Sequence, residues 1–363
     1  MRNIAVVATA SRSGGALTIY RQFISHLREN IGEDRYYIFV DSTMPIEEID
    51  GVQYIQYPTI SHLSRIKFDR DGCKRVLEGM GVNPDVVISF QNTGIHSYKS
   101  KKQIIYYHQS LPFYDFKWNV FKSQERTNFF YKNVYPWFVS ASINDATEVV
   151  VQTQFVKDNF VKKYNHPTDK VHVMMPDIEK IDVEVIQPYE FKSGKYHLIY
   201  PAAPYPYKRH DTIIRAVSDM LKRWPEMAEG LKVHFTFNHG DNETIDKLVI
   251  EYGLQDIFVY EGVVNHDELL RMYKASTALL FPSEIETLGL PLLEAAAFGL
   301  PIIVNDTPYA YDVMKGYTNH IYVNISDCGI FAEEIKNVIT SRSKVQPYAP
   351  SNESSWNKFF KLI

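Results

Sequence analysis

Cysteine is nearly absent. Cys73 and Cys328 are the two in 363 residues, and they lie far apart in the chain. They form neither a disulfide framework nor a zinc cluster, and they fit a reducing compartment. No apolar run reaches the ~18–20 residues that a membrane span needs. Neither sign of charge dominates: 39 Lys+Arg against 43 Asp+Glu leave a net charge of -4, which argues against a general nucleic-acid binder. The twelve histidines show no metal-ligand spacing such as His-Glu-x-x-His. Ser283 lacks the Gly-x-Ser-x-Gly surround of a nucleophile elbow. Hydrophobic residues make up 45% and charged residues 23%, a balance that excludes disorder, collagen and coiled coil.

What is present is length and alternation. A chain of 363 residues exceeds the ~250–300 at which single cores stop growing, so two domains are expected. Charge divides along the chain. Residues 1–175 carry 21 basic against 17 acidic side chains, a balance of +4; residues 176–363 carry 18 against 26, a balance of -8. Short apolar runs alternate with helical stretches, the pattern of βαβ units. Strands are expected at Asn3–Ala8, Tyr36–Val40, Asp85–Phe90, Gln103–Tyr107 and Glu148–Gln152, with a helix over Leu17–Leu27. Arg2, Ile4–Val7 and Ala8-Thr9-Ala10 also resemble a minimal signal peptide. The apolar core is short for one, and strand, glycine turn and helix explain the stretch better. After Pro176 the chain is polar to about residue 195. A second series then begins: strands at His197–Tyr200, Lys232–Phe237, Asp256–Tyr260, Ala278–Phe281 and Pro301–Asn305, with helices at His210–Leu221, Asp267–Tyr273 and Leu290–Phe298. Strands this apolar imply parallel sheets covered on both faces. The expected division is 1–175, 176–345 and a terminal helical segment 346–363, with two similar α/β domains facing each other across a cleft.

Four constellations carry chemistry. The first runs from Phe281 to Ala295, with Glu286 in the loop leaving a strand and Glu294 near the start of the following helix. Ligands of parallel sheets bind at such strand ends. Amides at a helix start favour anions, Gly289 permits close backbone approach, and carboxylates accept hydrogen bonds from sugar hydroxyls. Together these fit a nucleotide sugar; the plainer alternative is two solvated helix-end glutamates. The second is Tyr200 to Asp211, where Lys208 would neutralise a leaving group; the plainer reading is a solvated basic turn. The third is Ser11 to Ala16, where Gly14 and Gly15 make a weak signal that a tight turn explains equally well. The fourth is Tyr106 to Phe113, where His108 follows an apolar strand and could be merely structural. Asp69-Arg70-Asp71 spells a metal-binding Asp-x-Asp, but its charged helical context reads as a solvated face. The aromatic and basic stretch Tyr114–Phe138 fits helix core plus surface lysines as well as it fits a face for anionic lipid.

The first frame resembles that of the retaining GT-B glycosyltransferases of family 4. Their hallmark is Glu-x7-Glu in a Pro-Ser…Glu-x-Phe-Gly-x-Pro-x-x-Glu-Ala setting followed by Gly-x-Pro. This chain keeps the frame with Leu288 in place of Phe, and closes it with Gly299-Leu300-Pro301. The resemblance implies a GT-B fold of two Rossmann-like domains, with a C-terminal helix over Trp356–Ile363 crossing back to the first. It implies that Glu286 contacts the transferred sugar and Glu294 the ribose, that amides of Thr287, Leu288 and Gly289 approach the diphosphate, and that Lys208 binds it. The Arg expected five or six residues before Lys208 falls at Ala202 or Ala203 and is missing; Arg209 or Arg12 is conjectured to substitute. It places at Gly14 and Gly15 a Gly-rich, donor-binding loop that faces the donor phosphates and the acceptor, and a sugar-reaching histidine at His108. The implied function is metal-independent, retaining transfer from a nucleoside-diphosphate sugar to a glycan or lipid-linked glycan, in polysaccharide or O-antigen assembly at the cytoplasmic membrane face. No cofactor beyond the sugar nucleotide and no nucleic acid is expected. A sugar-nucleotide epimerase and a non-catalytic nucleotide-sugar-binding protein are the alternatives, which donor turnover discriminates.

Overall fold

The structure is a computed structural model that describes residues 1–12, 14–44, 46–58, 61–121, 125–177, 181–341, 343–348 and 354–363. The chain forms two compact units, Met1–Asp177 with Asn352–Ile363, and Ile178–Ser351.

Unit 1 is built on a parallel sheet of seven strands: β1 (Asn3–Val7), β2 (Arg35–Val40), β3 (Val52–Gln56), β4 (Val86–Ser89), β5 (Lys102–Tyr107), β6 (Glu148–Val151) and β7 (Val171–Val173), in the order β3-β2-β1-β4-β5-β6-β7. Side chains of a strand alternate between faces, and β1 divides accordingly. Ile4, Val6 and Ala8 join one core cluster with Ile19, Phe23, Ile24 and Leu27 of α1 (Gly14–Asn30). Ala5 and Val7 join another with Phe68, Cys73 and Leu77. Those three side chains belong to the helical run α2 (His62–Lys67), one wide turn Phe68–Gly72, and α3 (Cys73–Gly79). The Cys73 amide donates to the Phe68 carbonyl five residues back, so one residue is inserted into the helical ladder. That turn buries Asp69 to 9% exposure. The reading of Asp69-Arg70-Asp71 as a solvated face is corrected for Asp69. Arg70 and Asp71, with 75% and 65% of their side chains exposed, behave that way.

Four helical elements after β5 divide the aromatic stretch between core and surface. They are α4 (Arg126–Phe129), α5 (Tyr135–Ser142), α6 (Gln154–Tyr164) and the wide turn Phe130–Val134. Tyr135 and Val139 are buried with Tyr107 and Phe160, and Phe113, Phe130 and Phe138 pack against them. Phe121 and Trp137 are left 87% and 81% exposed. Lys122 lies outside the described residues.

Unit 2 is a parallel sheet of six strands: β8 (Tyr196–Tyr200), β9 (Leu231–Phe235), β10 (Phe258–Tyr260), β11 (Ala278–Phe281), β12 (Ile302–Asn305) and β13 (His320–Val323), in the order β10-β9-β8-β11-β12-β13. Its helices are α7 (His210–Arg223), α8 (Glu243–Glu251), α9 (His266–Ala275), α10 (Leu290–Ala297), α11 (Pro308–Val313) and α12 (Cys328–Ser341). Strands β3 and β13, absent from the sequence reading, are edge strands with few fully buried residues. Their alternation is weak for that reason.

The last helix, α13 (Trp356–Phe360), belongs to unit 1. Trp356 and Phe359 are buried against Phe23, with ring centroids 6.1 and 6.0 Å away. Trp356 Nε1 donates to Gln22 Oε1 at 3.1 Å, and the Gln22 amide group donates to the Asp177 carbonyl at 2.6 Å. The chain leaving unit 1 and the chain returning to it are therefore tied to one side chain of α1.

Candidate functional site

In each sheet the strand order reverses once. β8 lies between β9, which follows it, and β11; β1 lies between β2 and β4. Loops leaving the two strands at such a point diverge to opposite faces and open a crevice outside the carboxyl ends. The candidate residues fall on the loops after β8, β11 and β1 and at the helix starts they lead to, except His108, which follows β5, the neighbour of β4.

In unit 2 the loops after β8 and β11 are joined. The Glu284 amide donates to the Tyr207 carbonyl at 2.9 Å. The Tyr200 hydroxyl donates to the Lys208 carbonyl at 2.7 Å, fixing the loop from the strand end. Lys208 Nζ forms an ion pair with Glu286 Oε1, with 17% and 14% of the two side chains exposed. Two residues 78 positions apart, chosen separately for a diphosphate and a sugar, thus touch. Arg209 sits in the left-handed backbone region at φ 55°. Its guanidinium is engaged by Asp211 Oδ1 at 3.0 Å and by Glu284. Glu284 and Tyr207, whose ring centroid lies 5.6 Å from Lys208 Nζ, were not singled out from the sequence. The dense run of aromatics and prolines around Tyr207 was the available signal.

His210 opens α7 at 2% exposure, ringed by Tyr200, Phe235 and Phe237 at centroid distances of 4.6, 4.9 and 5.1 Å. Burial, with a smaller push from the Lys208 charge, lowers its pKa to about 3.

Gly289 precedes α10 at φ 77°. A Cβ there would meet Leu292 Cδ1 at 3.2 Å as well as strain the backbone. Leu288 is 2% exposed, so the residue that replaces Phe in the motif is a core side chain. Thr287 joins Leu288 to Glu286 in the loop. One turn into α10, Glu294 accepts from Tyr273 Oη at 3.1 Å and lies 3.3 Å from His266 Nε2. Glu294 is thus held by α9, and Glu286 by the loop after β8. The carboxylates differ in surroundings although one motif carries both. The closing Gly-x-Pro has a structural role: Gly299 is at φ 68°, and a Cβ on it would fall 2.0 Å from the Val345 carbonyl oxygen.

In unit 1, Gly14 starts α1 at φ 58°, while Gly15 follows without a close neighbour to a Cβ. Only Gly14 needs glycine for its backbone. Arg12 donates to the Thr9 carbonyl at 3.2 Å and lies 3.4 Å from Asp41 Oδ2. His108 directly follows β5, and its amide donates to Asn92 Oδ1 at 2.6 Å. Asn92 is itself left-handed, at φ 63°. Burial, helped by the Arg65 charge, lowers the His108 pKa to about 4, so its ring is neutral near pH 7. Arg65 and the Tyr135 hydroxyl both donate to the Gln91 carbonyl, the latter at 2.6 Å. Asn92 and Arg65, neither legible in the sequence, thereby hold the loop that carries His108. Among the described residues no group of three or more His, Cys, Asp or Glu is placed to hold a metal.

Residues 183–352 match the family model of glycosyl transferases group 1. That stretch, nearly all of it in unit 2, is what is similar to the family. The O-antigen chain mannosyltransferase RfbU of Salmonella typhimurium is 24% identical over 238 residues, 66% of this chain and 61% of that protein. The D-inositol 3-phosphate glycosyltransferase 1 of Catenulispora acidiphila is 24% identical over 57% of this chain and 52% of its own. The chain thus spans between about half and three-fifths of the length of these curated relatives. Solved structures align over more of the transferase fold. The lipopolysaccharide outer core galactosyltransferase WaaB matches with TM-score 0.61 at 18% identity, covering 94% of this chain and 90% of that one. WaaG, a glycosyltransferase involved in lipopolysaccharide biosynthesis, matches with TM-score 0.63 at 14% identity, covering 95% and 97%. The fold, two Rossmann-like units with parallel sheets, is that of GT-B glycosyltransferases.

Proposed function

We propose that the protein is a retaining glycosyltransferase that moves a sugar from a nucleoside-diphosphate sugar to a glycan or lipid-linked glycan in cell-surface polysaccharide synthesis. The observation that carries this reading is the Lys208–Glu286 pair at the point where the unit 2 sheet reverses, beside the start of α10. A cation and the amides of Thr287, Leu288 and Gly289 meet the diphosphate. Carboxylates that would repel the phosphates suit the hydroxyls around them, Glu286 for the transferred sugar and Glu294 for the ribose. Because Lys208 and the helix start supply the positive potential, the transfer needs no metal.

Transfer with retention breaks the bond from the anomeric carbon to the diphosphate oxygen and forms the bond to the acceptor oxygen on the same face. The acceptor proton passes to the departing diphosphate. Lys208 neutralises the charge that develops there. His108, neutral near pH 7, acts as a hydrogen-bonding group for the sugar, because a cation at that place would oppose an oxocarbenium-like state. Gly14 and Gly15 belong to the donor-binding loop that faces the donor phosphates and the acceptor. Arg209 serves the donor loop through Asp211 and Glu284, which leaves Lys208 as the cation for the missing arginine's task. Peripheral contact with anionic lipid through unit 1, at the inner face of the plasma membrane, is part of the proposal. Exposed Phe121, Trp137 and Lys117 support it. No helix among the described residues is long and apolar enough to cross a membrane.

Incubation with a panel of sugar nucleotides and glycan acceptors tests the reading. It predicts consumption of one donor, release of the nucleoside diphosphate, and a product whose anomeric configuration by proton NMR equals that of the donor. Epimerised donor without transfer would mark the epimerase alternative.

A further inference from the structure

In unit 1 the side chain of Asn92 ties the loop after β4 to the residue that follows β5. Asn92 is buried and stands in the left-handed backbone region at φ 63°. Its Oδ1 accepts from the His108 amide at 2.6 Å, and its Nδ2 lies 3.5 Å from His108 Nε2. The first contact orients the second. A backbone N–H only donates, so the Asn92 atom at 2.6 Å is the oxygen, and the atom beside the imidazole is the amide nitrogen. That nitrogen only donates, so His108 Nε2 is left to accept. The 3.5 Å contact is long for a hydrogen bond, and its polarity rather than its strength decides. Hydrogen on Nε2 would set N–H against N–H with no lone pair between them. The other ring nitrogen, Nδ1, has no hydrogen-bond partner among the described residues, so none of them opposes Asn92.

We propose that Asn92 is a positioning residue for His108, holding the neutral imidazole in the tautomer with hydrogen on Nδ1 and the Nε2 lone pair turned to the Asn92 amide. The ring is neutral near pH 7 because burial, helped by the Arg65 charge, disfavours the cation, so the choice that remains is between two neutral tautomers. A free imidazole side chain in water favours hydrogen on Nε2, and the assigned tautomer therefore needs a cause. The backbone explains why the residue is asparagine. Of the residues that enter the left-handed region readily, glycine has no side chain, and aspartate would present an acceptor where a donor is needed. With its lone pair spent on Asn92, the His108 ring has a donor left to offer and no acceptor. For transfer this rests on the reading of His108 as a group that serves the sugar; the tautomer itself belongs to the free protein.

Nitrogen-15 NMR of the full-length protein, labelled at histidine, tests the tautomer without donor or acceptor. Comparison with His108→Gln identifies the His108 ring by difference. At pH 7 the wild type should show hydrogen on Nδ1 and a bare Nε2. Asn92→Gly keeps the left-handed turn and removes the amide, and should move the hydrogen towards Nε2. Asn92→Asp keeps the acceptor for the His108 amide and reverses the polarity beside the ring, and should put hydrogen on Nε2, in a neutral or a doubly protonated imidazole. Hydrogen on Nε2 in the wild type, or on Nδ1 alone in Asn92→Asp, would overturn the proposal. With a donor that the wild type turns over, kcat should fall about fivefold to tenfold in both variants, the value of one hydrogen bond. Nucleoside-diphosphate affinity should not change, because the nucleotide is assigned to unit 2. A moved proton with wild-type kcat would overturn the positioning role. If the wild type turns over no donor, the transferase reading fails, and the spectra still decide the tautomer.

Discussion

Lys208 and Glu286 neutralise one another, so a diphosphate approaching Lys208 competes with a carboxylate. This makes the motif's glutamates separable. Glu286→Ala releases Lys208, and should leave nucleoside-diphosphate affinity unchanged or raised while turnover falls by about 10²–10³. Glu294→Ala removes the acceptor that Tyr273 and His266 hold in place, and should weaken both free nucleotide and sugar nucleotide by about tenfold or more. Calorimetry with the two ligands decides, and equal loss of nucleotide affinity in both variants would contradict the assignment. At this scale the juxtaposition of Lys208 with Glu286 was legible as two loops at strand ends, because both residues lie near glycine and proline positions that few local structures accommodate. Their partners were not visible. Glu284 and Asn92 are defined by contacts to residues 75 and 16 positions away, which no local pattern encodes. Asp69 was misplaced because one inserted residue in a helical turn rotates a charged segment inward, and that insertion has no compositional mark.

Elements carry the site through their ends. The C-terminus of α10 turns at Gly299, where a left-handed backbone and the Val345 carbonyl leave no room for a side chain. Gly299→Ala should cost about 2–3 kcal/mol or more, combining backbone strain with displacement of the 345–348 strand of chain. A urea midpoint close to wild type would show that Val345 moves freely. At the N-terminus of α7, His210 is buried with its pKa near 3, below the ~6.5 of an unfolded chain. Its folded pKa is depressed, so folding favours the neutral ring. The stability so contributed is complete above about pH 6.5 and is lost as pH falls towards 3. His108 and His197, each lowered to about 4 chiefly by burial, act in the same direction. His210→Phe should flatten the acid limb of stability against pH by up to about 1.4 kcal/mol per pH unit, the weight of one proton. An unchanged slope in urea titrations between pH 6 and 4 would show that His210 does not titrate on unfolding. Element positions were largely legible because fully buried parallel strands are short and continuously apolar. Edge strands β3 and β13 escaped because half-buried residues blur that pattern.

For the whole molecule, the two units differ in charge and in the groups they expose, and unit 1 presents Phe121 and Trp137 outward. Co-sedimentation with vesicles containing anionic lipid should show binding that falls as salt rises. It should weaken in a Phe121→Ser, Trp137→Ser, Lys117→Glu triple variant. Equal sedimentation with neutral vesicles would remove the electrostatic part, and none at low salt would remove the membrane contact. The architecture was readable because strand–helix alternation over two lengths of chain leaves few packings other than two parallel sheets. The return of α13 to unit 1 followed from the family frame and not from periodicity, since five helical residues carry little pattern. The central claim is that unit 2 holds a sugar nucleotide whose diphosphate leaves against Lys208. The most direct measurement is release of nucleoside diphosphate from a donor panel, in excess chelator, by wild type and by Lys208→Ala of matched circular dichroism. The account predicts turnover by the wild type that survives the chelator, and a fall of about 10²–10³ in the variant. Full activity in Lys208→Ala, or turnover that collapses with chelator and returns with manganese or magnesium, would contradict it.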